Sequence, residues 1–427
     1  MKASLVEIEK EIERGDAVIL TAKEVEQLVS SGRASEVREV DVVTTGTMGI
    51  MSGTYAILSF RIARPGEHRC FDRAKMNGIP VVVGPCPNES LGIIDVMVMG
   101  TKESEDRHRY GGSHLFRDLV EGKNVHVEAI SNNGRSVEVD VDIGSMLTAK
   151  MMSSRNCFRN YRAFVNPSNE EFSSIFHTLP FPSNCGGLAF SGCGRYNPIQ
   201  NDPTLETIGV GTKLLFNGAE GFAISNGTRS SEKYPNLMTV ADMPTMDPVL
   251  MGGYMTAVGV ECLSSYAVPI PIFSEAQLLR VMKTDSDVPL SIGDIHDRHK
   301  IGESDYGSVW SGTNEIITMD VEKCIRCAVC DAAAICPTDA IQMDDDSMSI
   351  NKGRCINCGV CTYSCPQHCF VGELGSVTSS IEGHEKVMPV VCRNSNREGA
   401  VRTMNDLKRR IEGGSFTLTA KVADIRP

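Results

Sequence analysis

The sequence predicts a mixed α/β protein in three parts. These are a glycine-turn-rich α/β domain over residues 1–315, a small α+β cysteine-rich domain over 316–371, and a short α/β C-terminal appendage over 372–427. Three observations carry this reading. A chain of 427 residues exceeds one ordinary core. Eight of its sixteen cysteines fall at regular spacing between Cys324 and Cys365, whereas the other eight are scattered singly. The first 310 or so residues alternate short apolar runs with helix signals and glycine turns. Hydrophobic and charged fractions of 41% and 22% are those of a globular protein. A formal net charge of −12, with no dense Lys/Arg stripe, argues against nucleic acid as the main partner. The longest apolar stretch, Tyr254 to Phe273, is interrupted by Glu261, Ser264, Ser265, Pro269 and Pro271, so no membrane span is expected. The stretch Met1 to Arg14 lacks an apolar signal region, so a cytoplasmic location is expected. In that reducing compartment, cysteines read as metal ligands or reactive thiols rather than disulfides.

In chain order, Thr21-Ala-Lys-Glu24 is a capping box opening a helix that ends near Ser31-Gly32. Val40 to Val43 reads as a strand leading into Thr44-Thr45-Gly46-Thr47-Met48-Gly49, a small-residue turn. Strands are expected at 80–83, 93–99, 125–130 and 137–141, and a helix over Gly112 to Glu121. Short strands follow at 207–210, 213–216 and 221–225. Pro269-Ile270-Pro271 reads as a rigid corner before a helix over Ser274 to Val281. Gly209-x-Gly211 lacks the third glycine and the helix of a dinucleotide fingerprint. In the appendage, a strand at 386–391, a helix at 402–412 and an alternating strand at 416–422 are expected.

The cysteine-rich domain carries Cys324-x2-Cys327-x2-Cys330 followed by Cys336-Pro337. It continues with Cys355-x2-Cys358-x2-Cys361-x3-Cys365-Pro366. Two-residue gaps let three thiolates reach three irons of one cubane, while the fourth iron takes a cysteine from the opposite motif. This is the pattern of a bacterial-type two-cluster ferredoxin. It assigns Cys324, Cys327, Cys330 and Cys365 to one [4Fe–4S] cluster, and Cys355, Cys358, Cys361 and Cys336 to the other. The internal repeat fits two short β-α-β halves. One departure is the five residues, Asp331 to Ile335, between Cys330 and Cys336, where three are usual. Cys-Pro endings and a doubled three-cysteine pattern are not zinc-ribbon spacings.

The stretches Val42-Val-Thr-Thr-Gly-Thr-Met-Gly49, Tyr110-Gly-Gly-Ser-His114, Asp118-Leu-Val-Glu-Gly-Lys-Asn-Val125, Asn201-Asp-Pro-x4-Ile-Gly-Val-Gly-Thr212 and Pro269-Ile-Pro-Ile272 resemble the homocysteine-biosynthesis family of archaeal and anaerobic proteins. The resemblance runs from about residue 15 to about residue 310. With its fused ferredoxin module the chain looks most like the branch called methanogenesis marker protein sixteen. The resemblance implies a sulfurtransferase that turns an aldehyde into a thiol with electrons from a ferredoxin-like module. In a methanogen the implied substrate is sulfoacetaldehyde, giving coenzyme M; the parent family's substrate, aspartate semialdehyde giving homocysteine, is the alternative. The implied partners are a small anionic aldehyde, a sulfide or persulfide donor and an external electron donor, with a homo-oligomer left open. A further alternative is an electron-transfer subunit with no chemistry of its own.

One reactive cysteine of the parent family lies just after the Thr-Gly-Thr stretch, and another near the position of Asn132-Asn133-Gly134. This chain has Met51-Ser52-Gly53 at the first place and no thiol at either. The candidate sulfur carriers are therefore argued locally. Cys157 lies between Arg155 and Arg159, Cys193 two residues before Arg195, and Cys86 in the turn Gly84-Pro85-Cys86-Pro87 at a strand end. Cys70 and Cys262 read as structural. Arg155, Arg159 and Arg195 are the candidate anion-binding residues, and His114 is a substrate or acid–base candidate. His296-x2-His299, flanked by Asp297, Arg298 and Lys300, reads as a solvated face.

Overall fold

The computed structural model describes residues 4–68, 70–84, 90–158, 161–343 and 348–425. Among them are a 14-stranded sheet, a six-stranded sheet and two two-stranded ribbons. No helix among the described residues is long and apolar enough to cross a membrane.

The large sheet is mostly an antiparallel meander. Strands in the middle of its order, such as Thr54–Arg61, alternate buried and half-exposed positions, as one-sided strands must. Near one end of its strand order, Val42–Ile50 and Gly259–Pro271 pair antiparallel over nine residues, from Leu263 opposite Ile50 to Pro271 opposite Val42. Both are buried almost throughout. The expected turn at 44–49 and the expected corner at 269–271 are thus both strand. Small residues replace turn chemistry here because another backbone comes close. A Cβ on Gly46 would lie 2.5 Å from the Ala400 carbonyl oxygen, and one on Gly49 would lie 2.6 Å from Ser395 Oγ.

Those neighbours belong to the C-terminal segment. The helix Arg397–Glu412 begins five residues earlier than its sequence pattern suggests and buries Ala400, Thr403, Met404, Leu407 and Ile411. The strand His384–Arg393 joins the six-stranded sheet beside Leu188–Phe190. Of the stretch 372–427, expected as an appendage on the cysteine-rich domain, the described residues therefore complete the packing of the large α/β region. Residues 416–422 are irregular rather than a strand, and 207–210 contributes only an isolated bridge, Val210 to Ala423. Cross-strand hydrogen bonding, not alternation alone, decides whether such a run is a strand.

The cysteine-rich domain consists of two strand–helix–strand halves. Their helices are Asp331–Ile335 and Val360–Ser364. The strands pair across the halves, Thr318–Met319 with Phe370–Val371 and Ile341–Met343 with Met348–Ile350. The five residues between Cys330 and Cys336 are the first of those helices, so the longer spacing is taken up by one helical turn.

A buried ionic network ties the parts together. Arg397 pairs with Asp285, both 5% exposed, and with Glu315 at 3.3 Å. Arg195 donates its backbone N–H to Asp285 at 2.9 Å, and its guanidinium to Asn201 Oδ1 at 2.9 Å and to the carbonyls of Val281 and Lys283. Arg195 is thus a structural cation, 1% exposed, rather than the substrate ligand expected from its neighbour Cys193. Replacing one member of a buried pair leaves the other charge uncompensated. Arg397→Met is accordingly expected to lower stability by about 3–5 kcal/mol, read as an earlier midpoint in urea unfolding.

Candidate functional site

Two constructions stand out, a ring of cysteines and a pocket of arginines. Cys336, Cys355, Cys358 and Cys361 line one enclosed cavity with Ile317, Ile341 and Val360. This is the ligand set read from the spacing, including the crossover of Cys336 from the first motif. Backbone N–H groups point at two of the sulfurs, Ala340 to Cys336 at 3.2 Å and Asn357 to Cys355 at 3.4 Å. Burial and then the neighbouring sulfurs Cys355 and Cys336 push the Cys361 thiol up to about 12. Burial likewise raises Cys355 and Cys358. Thiols packed this closely ionise together only around a cationic metal centre, so the ring fits one chemically.

The other set is more open. Cys324, Cys327 and Cys330 are half-exposed, and Cys365 is buried. Burial raises the Cys365 thiol, but the N–H groups of Gln367, His368 and Cys369 outweigh it and leave it below the usual range. Cys369, 2% exposed, lies against both Cys365 and Cys324.

The arginine pocket has a volume of about 320 Å³, and Arg155, Arg162, Arg229 and Arg298 contribute to its lining. Among the described residues no Asp or Glu lines it. Arg155 comes from the strand Met146–Asn156 and Arg162 from Arg162–Val165. Arg229 and Arg298 sit at left-handed turn positions with φ of 60° and 67°. Aromatic faces support three of the guanidiniums: Phe158 under Arg155 at 4.6 Å, Tyr234 under Arg162 at 5.5 Å and Phe176 under Arg298 at 5.2 Å. Burial, and then the like charges of Arg229 and Arg298, depress the Arg155 pKa, and its buried Nε has no partner. A bound anion relieves both penalties. Ser52, Tyr161, Phe164 and Phe176 complete the walls that matter below.

A single bend of chain separates the two constructions. The Arg393 N–H donates to the Cys358 carbonyl at 3.0 Å. The next residue, Asn394, accepts from the Ile50 N–H at 3.1 Å and donates its side-chain amide to the Phe176 carbonyl at 2.8 Å. Ile50 and Phe176 are pocket wall, and Cys358 is in the ring. Tyr254 fills the same layer, its hydroxyl 3.4 Å from Cys392 Sγ and 3.3 Å from Asn394 Oδ1.

The other sequence candidates are placed as follows. Cys86 and Arg159 lie outside the described residues. Cys157 and Cys193 are fully buried, and burial raises both thiols. Cys193 Sγ faces the carbonyls of Met48 and Asn396 at 3.6 and 3.8 Å. Carbonyl oxygens and an apolar setting hold a thiol protonated, so neither side chain is the exposed thiolate that the adjacent arginines suggested. His114 is not in the arginine pocket. It lines a second cavity with Arg107, Arg109, Arg117 and Arg354, and burial lowers its pKa to about 4. Arg162, Arg229, Arg298 and Asn394 were not singled out from sequence, because each is isolated in the chain and only tertiary contacts assemble them.

His114 and His177, both lowered to about 4 by burial, are neutral in the fold and titrate near 6.5 when unfolded. The unfolded chain therefore binds more protons between these values, and stability falls as pH drops from about 6.5 toward 4. Replacing both histidines with glutamine is expected to flatten that slope by up to two protons in urea titrations.

The family described as homocysteine biosynthesis enzyme, sulfur-incorporation, matches residues 17–418, and the chain belongs to it. An uncharacterized protein of Methanothermobacter thermautotrophicus is 43% identical over 96% of this chain and 94% of its own length. An L-aspartate semialdehyde sulfurtransferase of Methanocaldococcus jannaschii is 29% identical over 76% of this chain and 66% of that protein. Ferredoxin-1 of Caulobacter vibrioides is 38% identical over 45 residues, 10% of this chain and 40% of that protein. No solved structure matches the chain. The chain is thus a sulfur-transfer enzyme with a ferredoxin-like iron–sulfur segment.

Proposed function

We propose that the protein incorporates sulfur reductively into a small anionic aldehyde held in the arginine pocket, producing a thiol. The observation that carries this reading is the shared bend at Arg393 and Asn394, which puts an anion pocket and a cysteine ring on opposite sides of two residues. Cys355, Cys358, Cys361 and Cys336 would hold one [4Fe–4S] cluster and Cys324, Cys327, Cys330 and Cys365 the other; when bound, the two supply electrons one at a time.

The chain's own residues do the rest. The guanidiniums of Arg155, Arg162, Arg229 and Arg298 bind the acid group of the aldehyde, and their charge raises the local concentration of an anionic sulfur donor such as hydrosulfide. Phe164 and Phe176 exclude water on the side facing the cysteine ring. Because the buried thiols of Cys157 and Cys193 are protonated, sulfur enters from an external sulfide or persulfide donor, and an external one-electron donor refills the protein.

Aspartate semialdehyde is the leading substrate, since it is the one named for two relatives. Sulfoacetaldehyde, giving coenzyme M, is the second reading. It is favoured by a lining in which, among the described residues, four guanidiniums and no Asp or Glu are present to meet the substrate's charges. Product analysis with hydrosulfide, a low-potential reductant and each aldehyde in turn separates them; thiol from neither contradicts the proposal. A charge-assisted hydrogen bond contributes about 1.5–3 kcal/mol, or roughly 10–150-fold in affinity. Arg155→Gln is therefore expected to raise KM for the aldehyde about 10–100-fold with iron content unchanged. An unchanged KM would remove the pocket from the account.

A further inference from the structure

Glu261 is a carboxylate in an unusual place. It lies on the strand Gly259–Pro271 and is 5% exposed. Among the described residues it forms no salt bridge, and its Oε2 is buried without a hydrogen-bond partner. Ser52, in the wall of the arginine pocket, neighbours Glu261, because the adjacent Met51 N–H donates to the Cys262 carbonyl at 2.7 Å, and its hydroxyl pulls the carboxyl pKa down. Across the strand pair Glu261 sits directly opposite Tyr254, the residue that touches Cys392 and Asn394 beside the cysteine ring. Glu261 thus neighbours one residue of the pocket wall, Ser52, and is paired across the strands with Tyr254 of the layer beside the cysteines.

We propose that Glu261 is the proton-delivering residue of this site, acting through the Ser52 hydroxyl on the oxygen that leaves the aldehyde carbon. The inference rests on the functional reading above and supplies what that reading lacks, an acid. Hydrosulfide addition to R–CHO, with uptake of one proton, gives R–CH(OH)–SH. Losing its hydroxyl as hydroxide is slow at neutral pH, so the departing oxygen needs a proton. Ser52 donates its proton to that oxygen and takes one from the Glu261 carboxyl. The C–O bond breaks, a sulfur lone pair forms the C=S bond, and the S–H proton returns to the carboxylate. The step is redox-neutral: R–CH(OH)–SH becomes R–CH=S and water. Two electrons from the external one-electron donor, with two protons, then take R–CH=S to R–CH2–SH.

The surroundings suit a group that must be protonated before the reaction. Burial raises the Glu261 pKa; Ser52, the Cys262 backbone N–H and the more distant Arg298 pull it down without cancelling the rise. The other titratable groups around it are Cys262, which burial keeps as a neutral thiol, and Tyr254, whose hydroxyl is likewise kept neutral. The acid form works below the raised pKa, so the rate should fall on the alkaline side as the carboxyl ionises.

The test uses the full-length, cluster-loaded protein and its Glu261→Gln and Ser52→Ala variants, with circular dichroism and iron content as controls. Infrared difference spectra near neutral pH should show the C=O stretch of a protonated carboxyl in the wild type, absent in E261Q and shifted in S52A. With hydrosulfide, a low-potential reductant and each of the two aldehydes, kcat of E261Q should drop about 10²–10⁴-fold, with KM within a few-fold and the alkaline limb gone. Wild-type spectra without the band, or an E261Q enzyme with wild-type rate and pH profile, would overturn the proposal. If E261Q fails its folding control, S52A decides: a wild-type kcat there overturns it equally. A wild-type protein that shows the band yet makes thiol from neither aldehyde overturns the functional reading itself, a result distinct from the failure of Glu261 alone.

Discussion

The site depends on how the C-terminal segment returns through the molecule. The strand His384–Arg393 ends where the Arg393 N–H meets the Cys358 carbonyl, and the next residue hydrogen-bonds to both Ile50 and Phe176. Without this passage the cysteine domain and the arginine pocket would share no backbone contact at this point. The approach is close because Gly46 and Gly49 present no side chain to the Ala400 carbonyl and Ser395. The ion pair of Arg397 with Asp285 then fixes the first turn of the following helix. Glycines in one strand and a buried cation some 350 residues later are thus parts of one construction.

The electrostatics of the two halves are complementary. Buried thiols are pushed toward neutrality by desolvation and by one another, and become ligands only against a metal charge. The pocket carries the opposite imbalance, four guanidiniums with no carboxylate in the lining, in a chain whose net charge is −12. An anion in the pocket and a metal centre in the ring each neutralise locally. The bend at 392–394 keeps the two charges apart with apolar packing from Tyr254, Phe164 and Ile356. Low polarity there strengthens interactions across the short gap.

Sequence alone carried the cysteine pattern, because eight thiols at fixed spacing are a signal in the chain itself, and the fold brings Cys336, Cys355, Cys358 and Cys361 to one cavity. The sequence also revealed the strands expected at 93–99 and 125–130, the capping box at Thr21–Glu24 and the helical stretch from Ser274 to Val281, whose signals are local. It misread 44–49 and 269–271, where glycine, threonine and proline in a doubly buried strand imitate turn chemistry. It grouped Cys157 and Cys193 with their arginine neighbours, though adjacency in the chain says nothing about whether a thiol faces solvent. Of the expected anion-binding residues, Arg155 reached the pocket, whereas Arg195 was drawn into the Asp285 network and His114 into a different cavity. The remaining pocket cations, Arg162, Arg229 and Arg298, come from three separate segments and carry no shared motif.

The claim at the centre of this account is that the pocket and the cysteine ring are physically coupled across Arg393 and Asn394. Electron paramagnetic resonance of the chemically reduced protein, with and without a short unreactive sulfonate, tests it most directly. The account expects the anion to change the g-values or linewidth of one of two cluster signals in the wild type, and to leave both unchanged in Arg155→Gln. Two signals that stay fixed while calorimetry shows the sulfonate bound to the wild type would contradict it.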